Sequence, residues 1–159
     1  MESTSPSPGY YPFNVRVYGI CINAQQQVLV SDEYIKGGFY TKFPGGGLEY
    51  GEGTRDCLKR EWAEELFQEA EIGEHLYTTD FFQESAFGDG RQIISVYYRV
   101  KPVSPFVLPF KEKPFDFDEL RDQAEVFRWI NREDFSAHSV TLPIDKVVAE
   151  IIKDMEFEI

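Results

Sequence analysis

The stretch from Gly46 to Gln68 reads GGLEYGEGTRDCLKREWAEELFQ and decides the fold of this 159-residue chain. A glycine-rich turn, residues 44–47, overlaps its start, and apolar side chains then recur every fourth position. The recurring residues are Leu58, Trp62, Leu66 and Ala70. This spacing predicts an amphipathic helix with one apolar stripe, beginning at Thr54 as its N-cap. The stretch is therefore a glycine loop followed by a helix.

The predicted helix carries several carboxylates at close spacing. Glu61, Glu64 and Glu65 lie three and four residues apart and therefore project from one edge of the helix. Like charges at this spacing destabilise a helix by a few tenths of a kcal/mol per pair. A solvated acidic face would be the ordinary explanation, but it accounts for neither the glycines nor the flanking Glu52 and Arg60. Hard divalent cations bind oxygen ligands, so the pattern predicts a magnesium site. We expect Arg60 to hold Glu52 bidentately on the other side of the helix.

The stretch resembles the signature of the Nudix hydrolase family, Gly-x5-Glu-x7-Arg-Glu-U-x-Glu-Glu-x-Gly-U, in which U is a bulky apolar residue. The matching residues are Gly46, Glu52, Arg60, Glu61, Trp62, Glu64 and Glu65. Phe67 and Gln68 replace the last two signature residues. Because glycine ends a helix in a left-handed conformation more readily than phenylalanine does, we expect the helix to run past Phe67 to about residue 70 or 71.

The resemblance implies a reaction and a set of ligands. Mg²⁺, or Mn²⁺ as a substitute, would be held by Glu61, Glu64, Glu65 and the Gly45 carbonyl. Water would hydrolyse a diphosphate linkage in a nucleoside diphosphate derivative or a nucleoside triphosphate. The general base differs among family members, and it is either Glu61 or an acidic residue of a later loop. That loop offers Asp116, Asp118 and Glu119, of which we favour Glu119.

The rest of the chain fits one α+β domain. Alternating or β-branched segments predict strands at 15–22, 28–34, 39–43, 77–83, 92–100 and 124–130, and a second helix at 144–155. Glycines 45 to 47 are expected to end the third strand, and residues 88–90 to form a hairpin turn. We expect a Nudix-type α/β/α sandwich with a mixed sheet and a catalytic loop–helix–loop. A flexible tail, residues 1–9, precedes the single domain, residues 10–159.

The amino-acid composition limits the classes of partner that this chain is expected to bind. The net charge is −12, from 16 basic and 28 acidic residues, which disfavours a polymeric nucleic acid. No apolar run approaches the roughly 20 residues that span a bilayer, and no signal peptide is recognisable, so a cytoplasmic protein is expected. Two cysteines without a CxxC motif predict neither a zinc site nor a disulfide framework. The expected partner is a small phosphorylated metabolite, with a homodimer as one way to cover Phe67.

The substrate stays open at this level. Lys42 before the glycine loop and Arg91 in the hairpin are candidate phosphate contacts. ADP-ribose-cleaving relatives carry a proline some sixteen positions beyond the signature, whereas this chain has no proline between Pro44 and Pro102. A Nudix-fold nucleotide-binding module without catalysis is the alternative function. An isoprenoid diphosphate isomerase would need a reactive cysteine, and neither Cys21 nor Cys57 is well placed.

Overall fold

The computed structural model describes residues 12–157, so the predicted tail, residues 1–9, lies outside it. The strands are β1 (Phe13–Ile20), β2 (Gln27–Ile35), β3 (Gly38–Lys42), β4 (Gly45–Gly47), β5 (Ala70–Thr78), β6 (Gln92–Pro102) and β7 (Ala124–Asn131). The helices are α1 (Thr54–Leu66), α2 (Pro143–Lys153) and two short 3-10 helices, Arg132–Asp134 and Ala137–Ser139.

The strands form two sheets. One has four strands in the order β4-β1-β6-β5, and it is mixed because β1 and β6 run parallel. The other has three antiparallel strands in the order β3-β2-β7. The predicted α+β class and mixed sheet are confirmed, with the strands divided between two sheets.

Two hydrophobic clusters lie on opposite faces of the strands. Successive strand residues point to opposite faces, and β1 shows this directly. Val17 packs with the buried residues of α1, whereas Tyr18 and Ile20 pack with those of α2. The α1 cluster contains Leu58, Trp62 and Leu66, all 0% exposed. The helices therefore cover the strands from two sides, as an α/β/α sandwich requires.

Helix α1 differs from its prediction at both ends. Its N-cap is Gly53 rather than Thr54, which is the first helical residue and contacts Tyr98 Oη at 2.6 Å. The predicted continuation to residue 70 or 71 is wrong. Phe67 adopts the left-handed conformation (φ 52°, ψ 38°), and the Gln68 N–H donates to the Trp62 carbonyl at 3.3 Å.

Tertiary contacts explain this early end of α1. Gln68 is buried and donates through Nε2 to the Ser104 carbonyl at 2.9 Å. Ala70 is also buried and begins β5. These contacts require a sharp turn at residue 67, and they offset the roughly 1–2 kcal/mol that a left-handed non-glycine residue costs.

Glycines 45–47 follow the end of β3 at Lys42, as expected, but they also form a strand that was not predicted. Gly45–Gly47 pairs with β1 as β4, with Gly46 opposite Val17. A Cβ at Gly45 would lie 2.0 Å from the Val17 carbonyl oxygen, so only glycine permits this approach. Strand β5 begins at Ala70 rather than residue 77, because α1 ends early. The expected antiparallel pairing of β5 with β6 is confirmed, with residues 79–91 as a long connection.

Candidate active site

The glycine loop lies directly against the acidic edge of α1. A Cβ at Gly46 would lie 2.4 Å from the carboxylate carbon of Glu61 and 2.5 Å from its Oε1. The Cys57 thiol, on the preceding turn of α1, lies 3.5 Å from the Gly47 carbonyl oxygen. Because Gly46 has no side chain, the Glu61 carboxylate occupies the space in which one would lie.

Arg60 connects this loop to the helix. Its Nε and Nη2 donate to Glu52 at 3.0 and 2.7 Å, which confirms the expected bidentate pair. Nη2 also donates to the Gly47 carbonyl at 3.0 Å, and Nη1 donates to Glu61 at 2.9 Å and Glu64 at 3.3 Å. The hydrogen bonds from Arg60 and from the Glu49 backbone N–H lower the pKa of Glu52 to about 2. One guanidinium therefore satisfies three carboxylates.

The other end of the acidic edge has little positive charge. Glu65 lies within hydrogen-bonding reach of Glu125, at the start of β7. Glu125 is paired directly across the strands with Glu33 of β2, and the Ser31 hydroxyl contacts both carboxylates, at 2.9 Å (Glu33) and 3.2 Å (Glu125). Like charges directly opposite one another destabilise a sheet. Glu33 and Glu125 are thus two further candidate site residues, and the sequence did not reveal them.

Burial and mutual repulsion raise the pKa values of this group. Burial, with Glu125, Glu61 and Glu33 nearby, raises the pKa of Glu65 to about 9. Burial and Glu33 likewise raise the pKa of Glu125 to about 7. The Lys42 ammonium works in the opposite direction for both carboxyls, but the net shift is upward. Glu65, Glu125 and Glu33 are called the glutamate cluster below.

The donor set fits a hard divalent cation in chemical type. Carboxylate oxygens are the ligands that Mg²⁺ takes from proteins, and the glutamate cluster lacks the positive charge that such an ion would bring. Within residues 12–157, however, no three acidic, histidine or cysteine side chains converge closely enough to hold a metal as they stand. Glu61 and Glu64 are hydrogen-bonded to Arg60. Metal binding would therefore require one of them to turn away from the guanidinium.

A cavity adjoins the acidic edge on the α2 face of the sheet. Its volume is about 80 Å³, and it is lined by β1, the end of β3, the connection 79–91, β6 and the start of α2. Arg16 and Lys42 lie at its boundary with the glutamates. Lys42 is 4% exposed, and its Nζ lies 3.4 Å from Glu33. The Arg16 side chain lies beside the glycine loop, because its Nη1 is 3.4 Å from where a Gly47 Cβ would be.

The other predicted site residues lie apart from this arrangement. Arg91 is half-buried in the connection 79–91, and it does not line the cavity. Glu119 is exposed on the loop between β6 and β7, where its neighbour Asp118 pairs with Lys111 at 2.8 Å. Phe115 attaches this loop to the sheet by donating its N–H to the buried Asp32 at 3.1 Å. The role expected for Glu119 stays a prediction.

Both cysteines are buried, and burial raises the pKa of each thiol to about 12. A thiolate is the nucleophilic form of cysteine. Cys21 and Cys57 are therefore poorly suited to the reactive role that an isomerase would require.

Comparison with known proteins agrees with this geometry. The model of the NUDIX domain matches residues 12–152. The chain belongs to the Nudix family. This membership confirms the expected enzyme class, a pyrophosphohydrolase. A search of curated protein sequences found no match.

Solved Nudix structures share the fold. The E. coli ORF135 protein is 20% identical, with a TM-score of 0.65 and 93% of each chain covered. A NUDIX hydrolase from Nitrosomonas europaea is 20% identical, with a TM-score of 0.62 and 87% of each chain covered. An ADP-ribose pyrophosphatase from Streptococcus suis is 15% identical, with a TM-score of 0.57, covering 89% of this chain and 87% of that one. At these identities the likeness concerns the fold alone. In the described part of this Nudix chain, no helix is long and apolar enough to cross a membrane.

Proposed function

We propose that this Nudix protein hydrolyses the diphosphate linkage of a nucleoside diphosphate derivative or a nucleoside triphosphate, with Mg²⁺ as cofactor and Mn²⁺ as a substitute. The observation that carries the proposal is the acidic edge of α1, which lies between the glycine loop and a cavity bordered by two cations. Diphosphates are anionic, so a carboxylate site needs positive charge to accept one. Arg16, Lys42 and a bound divalent ion would supply it.

The metal ligands in this proposal are Glu61, Glu64, Glu65 and the Gly45 carbonyl. When bound, Mg²⁺ supplies Lewis acidity that neutralises charge on phosphate oxygens and acidifies water. Residues of the chain itself position the loop and the substrate and accept the proton. The Arg60–Glu52 pair keeps the loop and the helix in register, since its hydrogen bonds join Gly47, Glu61 and Glu64 to one side chain.

Glu125 adds a carboxylate that faces Glu65 from the sheet. Its position opposite the proposed metal ligand Glu65 suits it to take a proton from water beside that ligand. Glu119 and Glu61 remain alternatives for the general base. Glu119 is exposed and lacks a described contact with the helix glutamates, so its action would require movement of the loop between β6 and β7.

The substrate's phosphates would pass between the acidic edge and the two cations. Lys42 is suited to this position because it lies at the cavity and already faces Glu33. Arg16 was not expected from the sequence, and we assign it the same role. Arg91, the last residue of the connection 79–91, is retained as a peripheral phosphate contact. The proposed partner is one small nucleotide-like metabolite in the cytoplasm, and a homodimer is proposed as the cover for the exposed Phe67.

Turnover of a substrate panel in H₂¹⁸O tests the proposal. The panel contains nucleoside triphosphates, dinucleoside polyphosphates, nucleotide sugars and ADP-ribose, each with Mg²⁺, Mn²⁺ or excess chelator. We expect metal-dependent cleavage of at least one member, with ¹⁸O in one phosphate product. Absence of turnover with either metal would instead favour a Nudix-fold binding module.

A further inference from the structure

The hydroxyl group of Tyr18, on β1, is buried at the cavity and has only one of its hydrogen bonds made. Tyr18 is 4% exposed and lines the cavity together with Arg16 and Lys42. Its Oη accepts a hydrogen bond from Arg16 Nε at 3.0 Å. A guanidinium has no acceptor, so this bond leaves the hydroxyl proton unused, and no residue within 12–157 accepts it. The cavity therefore contains a buried donor that a ligand is able to satisfy.

Arg16 also lacks a partner for its charge. The residue is half-buried, yet among the described residues its guanidinium makes no ion pair, and its one hydrogen bond goes to Tyr18. Charged groups that are removed from water are normally paired. Arg60, by contrast, binds three carboxylates. Phosphate oxygens are partners that the planar guanidinium binds well, so an anion would complete the contacts of Arg16.

The neighbours of Tyr18 hold its ring in place. The ring centroid lies 5.4 Å from that of Tyr97, whose own hydroxyl donates to the buried Asp145 at 2.5 Å. Lys42 Nζ lies 5.8 Å from the centroid of the Tyr18 ring, within the range of a cation–π contact. The Tyr18 side chain therefore contacts both cations of the cavity, Arg16 through its hydroxyl and Lys42 through its ring.

We propose that Tyr18 is part of the substrate site. Its hydroxyl donates to a phosphate oxygen of the substrate and, by accepting from Nε, holds Arg16 in position to bind the same phosphate. The inference rests on the proposed function for the identity of the anion as a diphosphate. Tyr18 is thus a binding residue through its own hydroxyl and a positioning residue through Arg16, while Lys42 adds the second positive charge.

Methylenediphosphonate tests this site apart from catalysis, because its P–C–P linkage resists hydrolysis. It is titrated calorimetrically into the natural protein in excess chelator and with Mg²⁺, and the condition of tighter binding is used for every variant. We expect Tyr18→Phe to bind it about tenfold more weakly, because a hydrogen bond to a charged group is lost while the ring stays. Binding as tight as that of the natural protein would overturn the proposal, and so would a natural protein that binds under neither condition.

A double-mutant comparison separates this role from a merely structural one. Lysine at position 16 has no Nε that Tyr18 is able to hold. Tyr18→Phe should therefore weaken binding only about threefold in the Arg16→Lys background, and still about tenfold in the Lys42→Met background. Equal losses in the two backgrounds would show that the hydroxyl supports the fold in general, and they would overturn the positioning role.

Tyr77→Phe is the matched control. The Tyr77 hydroxyl also makes one hydrogen bond, to Asp80 at 2.8 Å, and its ring also packs against Tyr97, with centroids 6.3 Å apart. Tyr77 lies outside the cavity lining, so its variant should bind methylenediphosphonate as the natural protein does. If Tyr18→Phe does not fold, NMR of the natural protein with ¹³Cζ-labelled tyrosine decides the question. A Tyr18 signal that shifts on titration more than that of Tyr77 supports the proposal, and an unshifted signal overturns it.

The two proposals fail separately. Metal-dependent hydrolysis of a panel member, together with natural binding of methylenediphosphonate by Tyr18→Phe, would overturn the role of Tyr18 and leave the hydrolase intact. Binding that depends on the Tyr18 hydroxyl, with no hydrolysis of any panel member, would support the anion site and overturn the hydrolase.

Discussion

The two ends of the acidic edge on α1 show opposite electrostatics. At the Arg60 end, one guanidinium binds Glu52, Glu61 and Glu64 at 2.7–3.3 Å. At the other end, Glu65 faces Glu125 and Glu33, and the nearest cation, Lys42, only partly offsets their repulsion. At the first end, Arg60 balances the negative charge of the carboxylates. At the second end, the side chains of the protein balance that charge only in part. The comparison separates residues that hold the site in shape from residues whose charge a bound cation would balance.

The glutamate cluster should be the more sensitive end for activity. We expect Glu65→Gln to reduce turnover by about 10³-fold, comparable to losing a direct stabiliser of transition-state charge. The same variant should melt at a higher temperature than the natural protein in chelator. A buried glutamine needs no proton, whereas Glu65, with its pKa raised to about 9, has to take one up on folding at neutral pH. Turnover and thermal melts measure the two effects. Glu69 is an exposed glutamate beyond the helix, so Glu69→Gln is the control and should change neither turnover nor melting temperature. If Glu65→Gln turned over substrate as fast as the natural protein, the assignment of the glutamate cluster would be refuted.

Asp145, in the first turn of α2, is a buried carboxyl outside the glutamate cluster. It tests whether burial raises a carboxyl pKa there as well. Burial raises its pKa to about 6, despite the Tyr97 hydrogen bond and Lys42, which lower it, while Glu33 adds to the increase. Since the folded state then binds the proton more tightly than the unfolded state, this group favours folding below pH 4 and loses that contribution as the pH rises through 6. Relative to Asp145→Asn, the natural protein should gain about 3 kcal/mol of unfolding free energy between pH 8 and pH 4. Urea denaturation at each pH measures it, and parallel pH profiles for the two proteins would contradict the prediction.

The Arg60 end should matter less for activity and more for the position of the loop. We expect Glu52→Gln to lower turnover by about tenfold, as for residues that orient metal ligands. The variant should also melt at a lower temperature at neutral pH. Because Arg60 lowers the pKa of Glu52 to about 2, the pair contributes stability above pH 4.5 and loses it as the pH falls toward 2. The melting temperatures of the variant and the natural protein should therefore converge in acid, and a gap that stays constant with pH would count against this pair.

The smallest effect is expected at the far end of α1. Phe67→Gly should raise the unfolding free energy by about 1 kcal/mol, because glycine adopts the left-handed conformation without steric cost. Turnover should not change, since the glutamates stay in place. Phe82→Gly is the control, because Phe82 is as exposed (71% against 70%) but lacks a positive φ. A loss of stability in Phe67→Gly would show that the phenyl group has a packing role of its own.

The sequence predicted those parts of the site that depend on local spacing. The Arg60–Glu52 pair follows from positions on a helix and the loop before it, and the structure contains it. Glu33 and Glu125 are 92 positions apart, and only the register of β2 with β7 brings them together. No local pattern contains that register. The end of α1 was missed for a similar reason, because Gln68 and Ala70 turn toward distant parts of the fold.

The missing side chain at Gly46 has a consequence for redesign of this protein. The residue performs no chemistry, yet one added methyl group there would collide with the Glu61 carboxylate. Variation aimed at new substrates should therefore keep Gly45 and Gly46 and target residues 83–87, which line the cavity from outside the sheet. The molecule thus separates two glycines whose substitution would displace neighbouring atoms from a segment on which substrate preference is free to evolve.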